Sequence, residues 1–167
     1  MEFEYSKAWG LEHDFRGLSW WCPSPPSPTV VWSHPPPNRV KINTDAGHSL
    51  VLQKATSGVV IRDEHDHVLG SFYQSHSSLS SVFMEDALAA FHGHLFAKGL
   101  GFSLVILKSE SESIISKLQS NVDDSSVIRS TIWDILCLSK SFAECLYRYT
   151  HRERNRATHE MTKEGVG

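Results

Sequence analysis

From residue 38 onward the alternation of apolar and polar positions changes period twice. Val40, Ile42 and Thr44 alternate with Lys41, Asn43 and Asp45, and Gly47 closes the run. That is the period of a half-buried strand. The pattern predicts a first strand over 39–46 and a second over 56–62, around Gly58-Val59-Val60-Ile61. A polar turn at 63–66 leads to a third over 67–75 with Val68, Phe72 and Tyr73. Short connections make these three an antiparallel meander. From residue 82 the spacing becomes helical, with Phe83, Ala87, Ala90 or Phe91, and Leu95 on one face as far as residue 99. Ser80 or Ser81 is the expected N-cap, and Gly99 or Gly101 the stop.

Residues 102–107 form a continuous apolar run of strand length, as a strand buried on both faces requires. Two shorter helices follow. One spans 111–118 with Ile114, Ile115 and Leu118 inward, and one spans 127–138 with Ile128, Ile132, Ile135, Leu136 and Leu138. A fifth strand over 143–149 and a charged helix over 154–163 complete the order βββαβααβα. The fourth strand follows a crossover helix and is expected to lie parallel to the first.

The first 37 residues break this patterning. Pro23, Pro25, Pro26, Pro28, Pro35, Pro36 and Pro37 remove backbone donors and fix φ, so neither helix nor central strand can run through them. The expectation is an extended, disordered linker over 1–37 and one domain over 38–167, with Trp20, Trp21 and Trp32 packing onto the domain's own surface. A chain of 167 residues, 40% hydrophobic and 21% charged, has the apolar content for one core. Its formal net charge of −3 argues against a broad basic surface. No apolar run approaches the ~20 residues of a membrane helix, and the opening Met-Glu-Phe-Glu-Tyr lacks the features of a signal peptide. This composition predicts an intracellular monomer, nuclear or cytoplasmic, with no membrane partner. Cys22, Cys137 and Cys145 have no metal-ligand spacing and read as reduced thiols, two of them in the core.

Few residues suggest chemistry on their own. Asp45, at a strand end among aliphatic neighbours, reads either as exposed or as needing a partner or a metal. His65 and His67 flank Asp66, and His92 and His94 flank Gly93. Both pairs read as solvated surface, because residues two apart on a helix do not face one another. Arg148, Arg152, Arg154 and Arg156 form a basic cluster. It suits either ion pairing with Glu153 and Glu160 or contact with phosphate.

Four local patterns in sequence carry a resemblance. These are Trp32-Ser33-His34-Pro35-Pro36; Val40-Lys41-Ile42-Asn43-Thr44-Asp45; Gly58-Val59-Val60-Ile61-Arg62-Asp63; and Arg152-Glu153, Asn155, Thr158-His159, Met161, Thr162-Lys163. Together they resemble the plant reverse-transcriptase-like, ribonuclease H type 1 domains of retroelement-derived genes. The usual Asp-Gly-Ala is Asp45-Ala46-Gly47 here, and Asp66 stands where a turn glycine is usual. The resemblance implies a ribonuclease H-like α/β fold: a mixed five-stranded sheet in the order 3-2-1-4-5, strand 2 antiparallel, with helices on both faces. It also implies metal-dependent endonucleolytic cleavage of the RNA strand of RNA–DNA hybrids. Two Mg²⁺ ions, with Mn²⁺ as a substitute, would be held by carboxylates.

Carried over by position, Asp45 takes the first metal-binding place. The stretch Asp86-Ala87-Leu88-Ala89-Ala90-Phe91-His92-Gly93 keeps the family's alanines and glycine, which gives Asp86 the second place, with Glu85 the alternative. Lys108-Ser109-Glu110-Ser111 gives Glu110 the third, and His159 takes the fourth, where similar plant members often carry His. Arg152, Arg154, Asn155 and Arg156 are the implied nucleic-acid contacts, the partner being an RNA–DNA hybrid or double-stranded RNA. Asp86 is one methylene shorter than the usual residue and Glu110 one longer. Each change moves a carboxylate by roughly 1.5 Å, whereas a catalytic constellation tolerates roughly 0.5 Å. The expectation is weak turnover; the alternative is an inactive module that binds nucleic acid or a protein.

Overall fold

Ile42, Ile61 and Leu107 are wholly excluded from solvent and mark the centre of a five-stranded sheet. The structure, a computed structural model, describes residues 35–49, 51–77, 81–120 and 125–166. Most of the expected linker, with Cys22, Trp20, Trp21 and Trp32, lies outside the described residues. The elements are β1 Val40–Ser49, β2 Lys54–Arg62, β3 Val68–Ser77, α1 Val82–Gly99, β4 Leu104–Ser109, α2 Glu112–Gln119, α3 Arg129–Ser139, β5 Glu144–Tyr149 and α4 Arg156–Val166, the last preceded by a turn of 3₁₀ helix at Arg152–Arg154.

The strand order is β3-β2-β1-β4-β5. β2 runs antiparallel to both its neighbours, and β4 lies parallel to β1 and to β5. This is the mixed sheet that the resemblance implied. Val40, Ile42 and Thr44 of β1 pair in register with Val105, Leu107 and Ser109 of β4. Lys41, Asn43 and Asp45 therefore share the opposite face with Ile106 and Lys108. α1 packs on the first face and α4 on the second. Covered on both sides, β2 is buried continuously from Ala55 to Ile61, whereas the edge strand β3 alternates between exposed and half-buried residues.

Close approach explains how the helices seat. A Cβ on Gly93 would come within 2.7 Å of Thr44 Cγ2, so α1 lies tightly against β1 through small residues. Ser81 caps α1 by accepting the Met84 amide. Gly101, at φ +83°, ends it: its N–H reaches the Lys98 carbonyl, and the Phe102 N–H reaches that of Ala97. Both bonds satisfy carbonyls at the helix end.

Three expectations need correction. His92 and His94 are buried, not solvated, because α1 is enclosed over most of its circumference and its inner surface is alanine and glycine. His94 Nδ1 donates to the Ala90 carbonyl at 2.8 Å, and its Nε2 takes the Cys145 thiol at 3.4 Å. Burial pushes His92 and His94 each down to about 4. Phe83, expected inward, is 56% exposed: it shares the face of Ala87 and Ala90 but is the second residue of α1, at the helix's exposed N-terminal end beside Val82. Cys137 is exposed and Cys145 only half-buried, so neither described thiol is a full core residue. Among the described residues no helix is long and apolar enough to cross a membrane.

Candidate active site

The C-terminal ends of the parallel strands β1 and β4 bring together residues from three distant parts of the chain. Asp45 follows the last residue of β1 that pairs with β4, Glu110 follows β4 directly, and Asp86 opens the second turn of α1. Burial pushes the Asp86 carboxyl up to about 6; a hydrogen bond from Ser111 opposes this, and repulsion by Asp45, Glu85 and Glu110 adds to it. Glu110 is also raised, by burial first and by Asp45 next, with a hydrogen bond from Asn155 working the other way. Each acid thus feels the others, as like charges gathered at one site must. Glu110 Oε1 is buried and has no hydrogen-bond partner among the described residues.

Glu85 takes a different direction from Asp86. It is 1% exposed and bonds His48 Nδ1 of β1 at 3.0 Å. His48 has the parity of Ile42 and Thr44, the α1 face of the sheet. Adjacent helical residues diverge by roughly 100°, so Glu85 engages the side of β1 while Asp86 feels Glu110. His48 was not foreseen, because nothing in a strand-end histidine points to a glutamate 37 residues away.

His159, on the first turns of α4, approaches Asp45 closely. Its Nδ1 donates to Asp45 Oδ2 at 2.9 Å. The Arg152 guanidinium bonds the other ring nitrogen. Arginine has no acceptor, so Nε2 accepts and Nδ1 carries the proton given to Asp45. Thr162, one turn on, adds a hydroxyl bond to the same oxygen at 3.1 Å. α4 can come this close because a Cβ on Gly47 would meet Thr162 Cβ at 2.8 Å, and one on Gly58 would meet Thr162 Cγ2 at 2.6 Å. The transposed Ala46-Gly47 therefore keeps a glycine where the helix crosses β1.

Asn155 departs from the expectation of a nucleic-acid contact. It is 1% exposed, and its side chain is spent inside the protein. Its Oδ1 accepts from Asn43 Nδ2 at 2.7 Å, and its Nδ2 donates to the Thr44 carbonyl at 3.0 Å. It pins the entry of α4 to β1. Arg152 and Arg156 are exposed and Arg154 half-buried. Lys108, which pairs in register with Arg148 across β4 and β5, adds a cation that motif reading passed over. Burial first, and then Arg154 and Arg148, lower its proton affinity. A group of cations thus borders the acids, two residues along the chain from Glu110.

A five-stranded mixed sheet in this order, with acids gathered at the ends of its central parallel strands, defines a ribonuclease H-like domain. Residues 43–165 match the family model described as Reverse transcriptase-like, and the chain belongs to that family. No curated protein matches it. Among solved structures it is similar to RNase H1 from the halophilic archaeon Halobacterium salinarum NRC-1, at 15% identity over 77% of this chain and 97% of that one, with a TM-score of 0.71. It is similar to the N-terminal RNase H domain of rv2228c from Mycobacterium tuberculosis, at 17% identity over 77% and 93%, with a TM-score of 0.67. LC11-RNase H1 in complex with an RNA/DNA hybrid is 20% identical over 75% of this chain and 94% of that one, with a TM-score of 0.66. At such identities the likeness defines the fold.

Proposed function

We propose that this domain binds RNA–DNA hybrids and cleaves their RNA strand slowly, using divalent cations held by Asp45, Asp86 and Glu110. The observation that carries this reading is the gathering of three acids at one place, where burial first and then the neighbouring Asp45 raise the carboxyls of Asp86 and Glu110. A cation offsets the repulsion among them, and the lone Glu110 Oε1 is a donor awaiting one. The all-oxygen carboxylate set suits Mg²⁺, with Mn²⁺ as a substitute. When bound, the cations would supply an activated water and charge neutralisation at the scissile phosphate.

The chain's own residues do the positioning. Asn155 holds Glu110 and the start of α4, and the Arg152–His159 pair with Thr162 orients Asp45. Arg152, Arg154, Arg156 and Lys108 border the acids where phosphates would run. Recognition in this mode uses phosphates and 2′-hydroxyls rather than base edges, so binding is insensitive to sequence and falls steeply with salt. The LC11 structure holds an RNA/DNA hybrid on the same fold, which supports this choice over double-stranded RNA. In this reading the domain acts as a monomer inside the cell. Turnover is slow because Asp86 is short and Glu110 long.

A second reading, an inactive hybrid-binding module, is favoured by two observations. Asp45 Oδ2 already takes two hydrogen bonds, and the ligand atoms of the three acids do not all lie within 4.8 Å of one another. Incubation with a labelled hybrid in Mg²⁺ and in Mn²⁺, with binding measured on the same samples, separates the two. Cleavage that Asp45→Asn abolishes supports the first. Salt-sensitive binding without cleavage selects the second, and absence of both rejects both.

A further inference from the structure

The β2–β3 turn gathers a donor set of another kind, remote from the acids. Asp63, His65 and His67 occupy alternate positions, and their ligand atoms lie within 4.8 Å of one another, the only such group among the described residues. We propose that these three side chains bind one borderline divalent transition-metal ion, Zn²⁺ foremost. The inference stands apart from the hybrid-cleavage reading and uses none of its residues.

The turn itself sets the donors in place. Asp63 Oδ1 accepts the backbone N–H groups of His65 and His67, each at 2.8 Å, which fixes the carboxylate against the loop. The other oxygen, Oδ2, then faces both imidazoles, with His67 Nδ1 at 3.0 Å and His65 Nδ1 at 4.0 Å. The two rings lie roughly parallel, with centroids 5.8 Å apart. Asp66, between the histidines, takes the left-handed conformation at φ +69°. Its carboxylate is held by Arg62 Nη1 at 2.7 Å and leaves the three donors to one another.

Chemistry selects the ion. Two imidazoles and one carboxylate match the ligand preference of Zn²⁺, Ni²⁺ and Cu²⁺, whereas Mg²⁺ favours all-oxygen surroundings. Donors about 2.0–2.1 Å from a tetrahedral ion sit about 3.3 Å from one another. His65 and His67 are 69% and 74% exposed, so the rings can close to that spacing without disturbing a core. A metal taken at His67 Nδ1 replaces its bond to Asp63 Oδ2, and a neutral ring then carries its proton on Nε2. Three protein donors leave a fourth position for water or an outside ligand. Asp45 pairs with Gly58, five residues before Asp63 on β2, which puts about 16 Å between the turn and the acids. The ion would clamp the hairpin.

Zn²⁺ titration of the full chain by calorimetry tests this, in buffer already holding excess Mg²⁺. One equivalent of Zn²⁺ is expected to bind with a rise in Tm. His65→Asn/His67→Asn should lose both effects while keeping the metal-free Tm. Asp45→Asn should retain both. Co²⁺ in place of Zn²⁺ should give the visible absorption of a tetrahedral or five-coordinate site in the parent only. Equal Zn²⁺ binding by parent and double variant would overturn the proposal, as would its loss in Asp45→Asn.

Discussion

Thr162 of α4 stands over Gly58 of β2 so closely that a Cβ on the glycine would come within 2.6 Å of Thr162 Cγ2. The same threonine bonds Asp45, so the helix seat and the site share one residue. Gly58→Ala must push α4 outward or compress it, at a cost of about 1–3 kcal/mol. The expected outcome is a lower denaturation midpoint together with weakened metal binding. Thr162→Ser removes Cγ2 and keeps the hydroxyl, so the double variant should regain part of both. Denaturant titration of the four proteins checks this.

Restoring side-chain lengths tests the reason given for slow turnover. Asp86→Glu with Glu110→Asp moves each carboxylate by about 1.5 Å, towards a spacing that a catalytic site tolerates only within about 0.5 Å. Hybrid cleavage should rise by an order of magnitude or more, since a misplacement of about 1 Å in a catalytic arrangement costs roughly 10²-fold. Single-turnover assays in Mg²⁺ read it directly. Unchanged cleavage with intact metal binding would place the defect at His159 or in the backbone instead.

Asp86 makes stability at neutral pH depend on the cation. Its carboxyl is near 6 when folded, against an ordinary 3.8. The folded state therefore holds the extra proton between those values. The stabilisation is complete below 3.8 and disappears as pH rises through 6. Asp86→Asn should raise Tm at pH 7.5 and leave it unchanged below pH 4. Mn²⁺ should raise the parent's Tm at pH 7.5 more than at pH 5, where the proton competes. Thermal melts over that range settle both points.

The two buried histidines act with the opposite sign. Each sits near 4 when folded, against an ordinary 6.5. Between those values the unfolded chain binds more protons, so stability is complete above 6.5 and falls as pH drops towards 4. Urea midpoints should therefore decline over that window. His94→Gln should lower stability at pH 7, because it disturbs the bonds to Ala90 and Cys145, yet make the decline shallower.

The sequence alone determined the order of strands and helices, because their periods are local and β1, β2 and β4 are strong examples of theirs, while the sheet order 3-2-1-4-5 came from the resemblance. The resemblance pointed to Asp45, Asp86, with Glu85 as the alternative, and Glu110 as the acids of the site, and in the fold Asp45 and Glu110 follow the paired segments of two neighbouring parallel strands. Only the tertiary structure decided what those residues touch. The seating of α1 on Thr44 buried His92 and His94, against their polarity. The crossing of α4 over Gly47 and Gly58 gave Asp45 its partners, His159 and Thr162, and turned Asn155 inward. The fold of one short turn brought Asp63 to His65 and His67. In each case the deciding distance lies between side chains whose approach depends on backbone packing, and residue spacing carries no record of it.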